Sequence, residues 1–136
     1  MKLTAYLNFP GTCREAFEFY AKSLNGEIVM MLTHGDSPAA EHAPPNWQDK
    51  IMHARLMVGD QTLMGSDAGP EHYLPTQGFS VAIGVDTVAE AERVFAAMSA
   101  GGTVQLPIQQ TFWAERFGML VDKYKIAWMV NCETKQ

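Results

Sequence analysis

The stretch Ala5-Tyr6-Leu7-Asn8-Phe9-Pro10-Gly11-Thr12-Cys13-Arg14-Glu15-Ala16-Phe17-Glu18-Phe19-Tyr20 decides the fold. It opens as a strand near 3–9, because Leu7 and Phe9 alternate with Tyr6 and Asn8, a period of two that separates two faces. Pro10-Gly11 breaks the strand. Thr12 and Glu15 then stand as a Thr-x-x-Glu capping box, the pattern that satisfies the first free N–H groups of a helix. Cys13, Ala16, Phe17, Tyr20 and Leu24 fall on one helical face, and Asn25-Gly26 supplies a stop suited to a left-handed backbone.

The same unit occurs a second time. A strand near 79–86 leads to Thr87 and Glu90, then to a helix with Val88, Ala91, Phe95 and Met98 on one face, ended by Gly101-Gly102. The distance from capping Thr to glycine stop is about the same in both copies, as a duplicated supersecondary unit requires. Each helix is followed by three strand-like runs, near 27–34, 51–58 and 61–66 in the first copy and near 103–109, 116–122 and 126–132 in the second. The expected architecture is therefore α+β, with two β-α-β-β-β halves of about 1–66 and 79–132 in one domain spanning 1–136. Each curved mixed sheet is expected to put one face on its helix and to leave the other to enclose a cavity.

The 136 residues, of 15.1 kDa, suit one such domain, which can bury roughly two thirds of its unfolded surface without disulfide or structural metal. At 47% hydrophobic and 18% charged the chain is too apolar for disorder and too broken by charge for a membrane span. A net charge of −5 with no basic run longer than a pair gives no nucleic-acid footprint. Cys13 and Cys132 match no zinc or redox spacing and are read as reduced thiols. No apolar segment with a small-residue cleavage site opens the chain, so a cytoplasmic location is expected.

Alternation assigns the faces. Leu7 and Phe9, then Met52, Ala54, Leu56 and Val58, then Val81, Ile83 and Val85, then Ile126, Trp128 and Val130 are the expected helix-facing rows. The opposite rows hold Tyr6 and Asn8; His53, Arg55 and Met57; Thr62, Met64 and Ser66; Ser80, Ala82 and Gly84; Ala127, Met129 and Asn131. A surface with apolar walls and a few convergent polar groups is typical of small-molecule sites. Residues 35–50, with Ser37-Pro38, Pro44-Pro45 and three acidic side chains, read as a long surface loop, of the kind that is usually functional or mobile. Gly59-Asp60 reads as a hairpin turn.

With these features in hand, the chain resembles the vicinal oxygen chelate superfamily of glyoxalase I, bleomycin-resistance proteins and extradiol dioxygenases, and within it the PhnB-like branch. The resemblance is carried by Ala5 to Gly11 leading into Glu15-Ala16-Phe17-Glu18-Phe19-Tyr20, by Gln110-Thr111-Phe112-Trp113-Ala114 through Phe117-Gly118, and by Asp122-Lys123-Tyr124 with Trp128-Met129-Val130-Asn131. It implies a homodimer, since these modules usually pair to complete their barrels. One departure is visible: the branch normally has Gly after the Asp-Lys-aromatic run, where this chain has Lys125.

Enzymes of the superfamily hold a divalent metal at four strand positions, usually on His or Glu, with open sites for a substrate's adjacent oxygens. Carried over, those positions fall at Tyr6 (or Ala5), Met64, Ser80 and Met129. A phenol, two thioethers and a hydroxyl favour no hard or borderline divalent ion, so the family metal is expected to be absent and no cofactor is expected. A displaced site would draw on His53 with His34, His42 or His72 and carboxylates such as Asp36 and Glu41, though these show no tight ligand spacing.

Arg55 faces the expected cavity, where a guanidinium is costly to desolvate unless an internal acid, a dimer mate, an anionic ligand or a solvated mouth receives it. Trp113 and Phe112 could close the cavity or pack across a dimer. Asp122 suits a turn before the last strand. Met30, Met31, Met57, Met64 and Met129 are adaptable apolar filler. No catalytic triad, phosphate loop or nucleotide fingerprint can be placed.

Two functions follow. The first is a metal-independent small-molecule binding module with Tyr6, Asn8, His53, Arg55, Met64, Ser66, Ser80, Trp113 and Met129 as ligand-binding candidates and no catalytic residue assigned. The second is a lyase, isomerase or dioxygenase-type enzyme with a displaced metal or with His53 as base. Links to phosphonate metabolism or ubiquinone methylation rest only on names carried by related sequences.

Overall fold

In the computed structural model, which describes residues 1–133, the chain divides into one unit over Met1–Leu74 and another from Pro75 onward. The first contains β1 (Ala5–Phe9), α1 (Cys13–Leu24), β2 (Glu27–Thr33), β3 (Ile51–Val58) and β4 (Gln61–Asp67). Its sheet runs β1-β4-β3-β2, with β1 parallel to β4 and the other pairs antiparallel. Two β-α-β-β-β units in succession are what the repeated strand, helix and glycine stop predict.

The helix packs on β2, β3 and β4 because its apolar stripe meets theirs. Phe9, Phe17 and Tyr20 are fully buried, with ring centroids 5.9 to 6.5 Å apart. Leu7, Ala54 and Leu56 complete this layer. Each such large apolar side chain contributes about 1.5–3 kcal/mol on burial. The approach is close at Gly65, where a Cβ would stand 2.7 Å from Phe17 Cε1 and 2.9 Å from the Leu7 carbonyl oxygen. Only glycine lets the Phe17 ring lie on that strand.

The start of α1 corrects the sequence reading. Thr12 lies at φ −111°, ψ 15°, and its side chain makes no capping bond. Asp67, the last residue of β4, takes its place: Oδ1 accepts from Gly11 N at 3.0 Å and Cys13 N at 2.9 Å, while Oδ2 accepts from Ile51 N at 2.8 Å. A buried carboxylate thus fills the positive end of the helix and pins it to the first residue of β3.

A second correction concerns β3. Thr33 pairs with Ile51 and Leu32 with His53, so Met52 is an extra residue without a partner in β2. This bulge shifts the alternation. Ile51 is buried at 1% exposure, whereas Met52, expected in the helix-facing row, is only half-buried. Residues 35–50 are also more ordered than a plain loop. They carry 3₁₀ turns at Ala40–His42 and Pro45–Trp47 and are closed at the base by His34 N to Lys50 O (2.9 Å) and Gly35 N to Gln48 O (2.8 Å).

The second unit contains β5 (Val81–Val85), α2 (Val88–Ser99), β6 (Thr103–Gln109), β7 (Ala114–Val121) and β8 (Ala127–Glu133). Its sheet runs β5-β8-β7-β6, with β5 parallel to β8. Here the capping Thr behaves as expected: Thr87 Oγ1 accepts from Glu90 N at 3.1 Å. Val94, Phe95 and Met98 meet Leu120, Trp128 and Val130 in the core. A Cβ at Gly118 would lie 2.6 Å from Phe95 Cε2, a contact like that of Gly65 with Phe17.

β5 is shorter than the 79–86 run, and Val81, Ile83 and Val85 are half-buried within this unit rather than core. The turn before β8 is organised by buried Asp122, which accepts from Tyr124 N (2.7 Å), Ile126 N (3.1 Å) and Trp128 Nε1 (2.8 Å). Lys125 takes φ +74°, a left-handed backbone. That is why related sequences can use Gly there.

Candidate functional site

The face of the first sheet turned away from α1 brings together six residues singled out from sequence. Met64 of β4 pairs with Tyr6 of β1 on one side and Arg55 of β3 on the other, and Met30 of β2 pairs with Arg55. These four side chains form one row across the sheet. Beside it, Tyr6 Oη lies 3.1 Å from His53 Nδ1, with the two rings stacked at 5.7 Å. Asn8 pairs with Ser66, and their side-chain oxygens are 3.5 Å apart, at the limit of a hydrogen bond.

Arg55 is the electrostatic feature of this face. Its Nε is buried and has no hydrogen-bond partner among the described residues. A buried N–H left without an acceptor costs about 1–3 kcal/mol, more on a charged group, so the position favours whatever brings an acceptor. The neighbouring Met30 and Met64 supply polarisable apolar surface. Phenol, imidazole, guanidinium and amide here place hydrogen-bond donors and acceptors on one sheet face.

Three candidates lie in the second unit. Ser80 precedes β5 and Met129 lies on β8, and both line a cleft of about 500 Å3 with Phe79 and Met119. Trp113 lies outside that lining, in the turn before β7, packed edge-on against Phe112 (4.7 Å) and Phe117 (5.4 Å). Trp113 is 47% exposed and Phe112 95%.

The metal positions fit poorly. Tyr6 and Met64 are register partners, whereas the partner of Met129 in β5 is Ala82 and Ser80 precedes that strand. With Ser80 or Ala82, the donors remain a phenol, two thioethers and at most a hydroxyl, a set unsuited to the family's divalent ion. Among the described residues no three His, Cys, Asp or Glu side chains are placed to hold a metal ion.

The displaced set separates. His53 stands on the sheet face with Tyr6, while His34, His42 and His72 line a different cleft with Trp47 and Met52. Asp36 accepts from Thr33 Oγ1 at 3.0 Å, and Glu41 approaches His42 at 3.9 Å with both side chains largely exposed. Sequence reading weighs these histidines only as donors of an alternative, displaced metal site without tight ligand spacing, and misses the cleft, since the bulge that turns Met52 toward it has no residue signature. Cys13 takes no part: burial, reinforced by the Asp67 carboxylate against the weaker pull of Arg14, pushes its thiol far above the ordinary range. Such a thiol is inert.

The class follows from this architecture. Solved proteins of the glyoxalase, bleomycin resistance and dioxygenase fold, at 8% and 12% identity, match 98% of the chain with TM-scores of 0.66 and 0.65, which shows a shared fold. More specifically, the family model described as 3-demethylubiquinone-9 3-methyltransferase matches residues 1–131, and the chain belongs to that PhnB-like family. It is 49% identical to protein PA1353 from Pseudomonas aeruginosa, at a TM-score of 0.91 over 99% of each chain. It is 32% identical over 144 residues to Protein YjdN of Escherichia coli strain K12, covering all of this chain and 98% of that one. A PhnB protein from Bacillus cereus is 25% identical, at a TM-score of 0.81 over 97% of this chain and 99% of that one. No helix among the described residues is long and apolar enough to cross a membrane.

Proposed function

We propose that the chain is a small-molecule binding module that works without a metal ion, with its ligand held on the first sheet by Tyr6, Asn8, His53, Arg55, Met64 and Ser66. The observation that carries this reading is the buried, unpartnered Arg55 Nε, which an anionic oxygen of a ligand would satisfy. Met30 and Met64 beside it would take the ligand's apolar part. On the second unit, taken by itself, Ser80 and Met129, which line one cleft there, and Trp113, whose ring offers an aromatic face, are proposed as ligand-binding residues.

The proposal includes a homodimer, supported by the family resemblance and by apolar side chains such as Val29 and Met30 that are 49% and 42% exposed. The cytoplasm is its proposed compartment, in keeping with buried Cys13 and Cys132 that form no disulfide. The methyl transfer in the family's description is not carried over, because the sequence contains no glycine-rich nucleotide fingerprint for a methyl donor.

A second reading, a lyase or isomerase with His53 as base, is favoured by one observation, the Tyr6 Oη to His53 Nδ1 contact at 3.1 Å. A thermal-shift screen of short aliphatic acids against wild type, Arg55→Gln and His53→Gln, with turnover assayed on the same variants, tests both. Acids that stabilise wild type and His53→Gln but not Arg55→Gln support the module. Acids that stabilise wild type and Arg55→Gln equally remove its basis, and turnover lost only in His53→Gln selects the enzyme.

A further inference from the structure

We propose a second small-molecule site in the first unit, in the cleft between the 34–50 excursion and the 69–72 turn, that takes a flat aromatic ring carrying a carboxylate. The cleft has a volume of about 560 Å3, and its walls include His34, His42, Trp47, Met52 and His72. That size suits a small organic ligand. Tyr6, Asn8, Arg55 and Met64 are not in its lining, so it is independent of the sheet-face site.

Its walls are held by the backbone. The bulge in β3 removes Met52 from the core side and turns it into the cleft. Trp47 closes the second 3₁₀ turn, with its N–H on Pro44 O at 2.9 Å and its carbonyl receiving Lys50 N at 3.1 Å. His34 is fixed on both sides: its N–H donates to Lys50 O at 2.9 Å and its carbonyl accepts from Ser37 Oγ at 2.8 Å. Opposite, His72 N donates to Gly69 O at 2.8 Å.

The ligand class follows from what these walls lack. His34 Nε2 is buried without a hydrogen-bond partner among the described residues, on a residue whose backbone is held on both sides. Each of the three imidazoles can present an N–H to a ligand carboxylate, and Glu71 is the one carboxylate in the lining that would oppose it. The indole of Trp47 and the thioether of Met52 offer a broad polarisable surface, which suits a flat ring better than a puckered one.

The test is an NMR titration of the full chain with benzoate, and with benzamide and cyclohexanecarboxylate as probes lacking the charge or the flat ring. Benzoate is expected to bind at millimolar concentrations, shifting His34, the Trp47 indole and His72, with the other two probes roughly fivefold weaker or more. His34→Gln and Trp47→Ala should each weaken the benzoate-induced shifts of the cleft residues about fivefold or more. Should Trp47→Ala fail to fold, His34→Gln and the probe series decide alone. No benzoate binding, binding unchanged in His34→Gln, or shifts confined to Tyr6, His53 and Arg55 would each overturn the site, the last by placing the ligand on the sheet face.

Discussion

Replacing Asp67 by Ala should destabilise the first unit more than any single apolar truncation on its surface, by about 3–4 kcal/mol. The carboxylate is 5% exposed and accepts three backbone N–H groups, from Gly11, Cys13 and Ile51. Bonds to a charged acceptor are each worth about 1.5–3 kcal/mol net. Those from Cys13 and Ile51 are buried, while that from Gly11 is part-buried and can be taken over by water. Two buried donors and the helix terminus together lose roughly 3–7 kcal/mol. Removing a buried charge returns part of this as relieved desolvation, which brings the expected net loss to about 3–4 kcal/mol.

Asp67→Asn should fall between, at about 2 kcal/mol, since whichever way the amide points, its NH2 meets at least one N–H. The assay is urea unfolding, with the midpoint falling and the slope unchanged. A loss below about 1 kcal/mol for Asp67→Ala would refute the assignment of Asp67 as the cap that replaces Thr12.

The remaining predictions are smaller. Thr87→Ala should cost about 1 kcal/mol because its hydroxyl caps α2, whereas Thr12→Ala should cost almost nothing, since no capping bond is lost; paired urea midpoints check both. Lys125→Gly should leave stability unchanged or raise it by up to about 1 kcal/mol, because glycine enters φ +74° without the side-chain penalty. Gly118→Ala should cost about 1–3 kcal/mol by forcing Phe95 aside, read as a lower melting temperature. The Cys13 thiol is pushed above its ordinary value of 9.0, chiefly by burial. Its folded value exceeds its unfolded one, so its contribution is complete below about pH 9 and declines as pH rises beyond it; Cys13→Ala should show a smaller decline between about pH 8 and 11.

Much of the fold was legible because both halves bury helices on alternating strands. Leu7, Phe9, Ala54, Leu56, Trp128 and Val130 all lie in the core, as the period of two requires. The misses have local causes. Thr12 looks like a cap in sequence, but the carboxylate that acts as one arrives from Asp67, fifty-four residues after Cys13. Met52 and Ile51 exchange places because a bulge adds one residue to β3 without any glycine or proline to mark it. Ser80 fell on the expected strand only because its flanking residues also alternate, while the ladder begins at Val81.

The candidate site divides in the same way. Tyr6, His53, Arg55 and Met64 sit on one face because strand parity alone fixes it, and ladder register then makes Tyr6, Met64 and Arg55 neighbours. That Arg55 Nε would be buried without an acceptor is a property of packing, with no sequence signal. The cleft of His34, His42 and His72 depends on a closed excursion and a turn far apart in the chain, so in sequence the histidines read as scattered residues with no ligand spacing.

The most direct test of the sheet-face reading is to follow the Arg55 Nε–H resonance by NMR while the intact chain is titrated with short aliphatic carboxylates, which lack the aromatic ring expected at the His34 cleft. The account predicts a saturable shift of that resonance together with those of Tyr6 and His53, abolished in Arg55→Gln. Carboxylates that bind while the Arg55 Nε–H stays unmoved, or that bind Arg55→Gln as tightly as wild type, would contradict it.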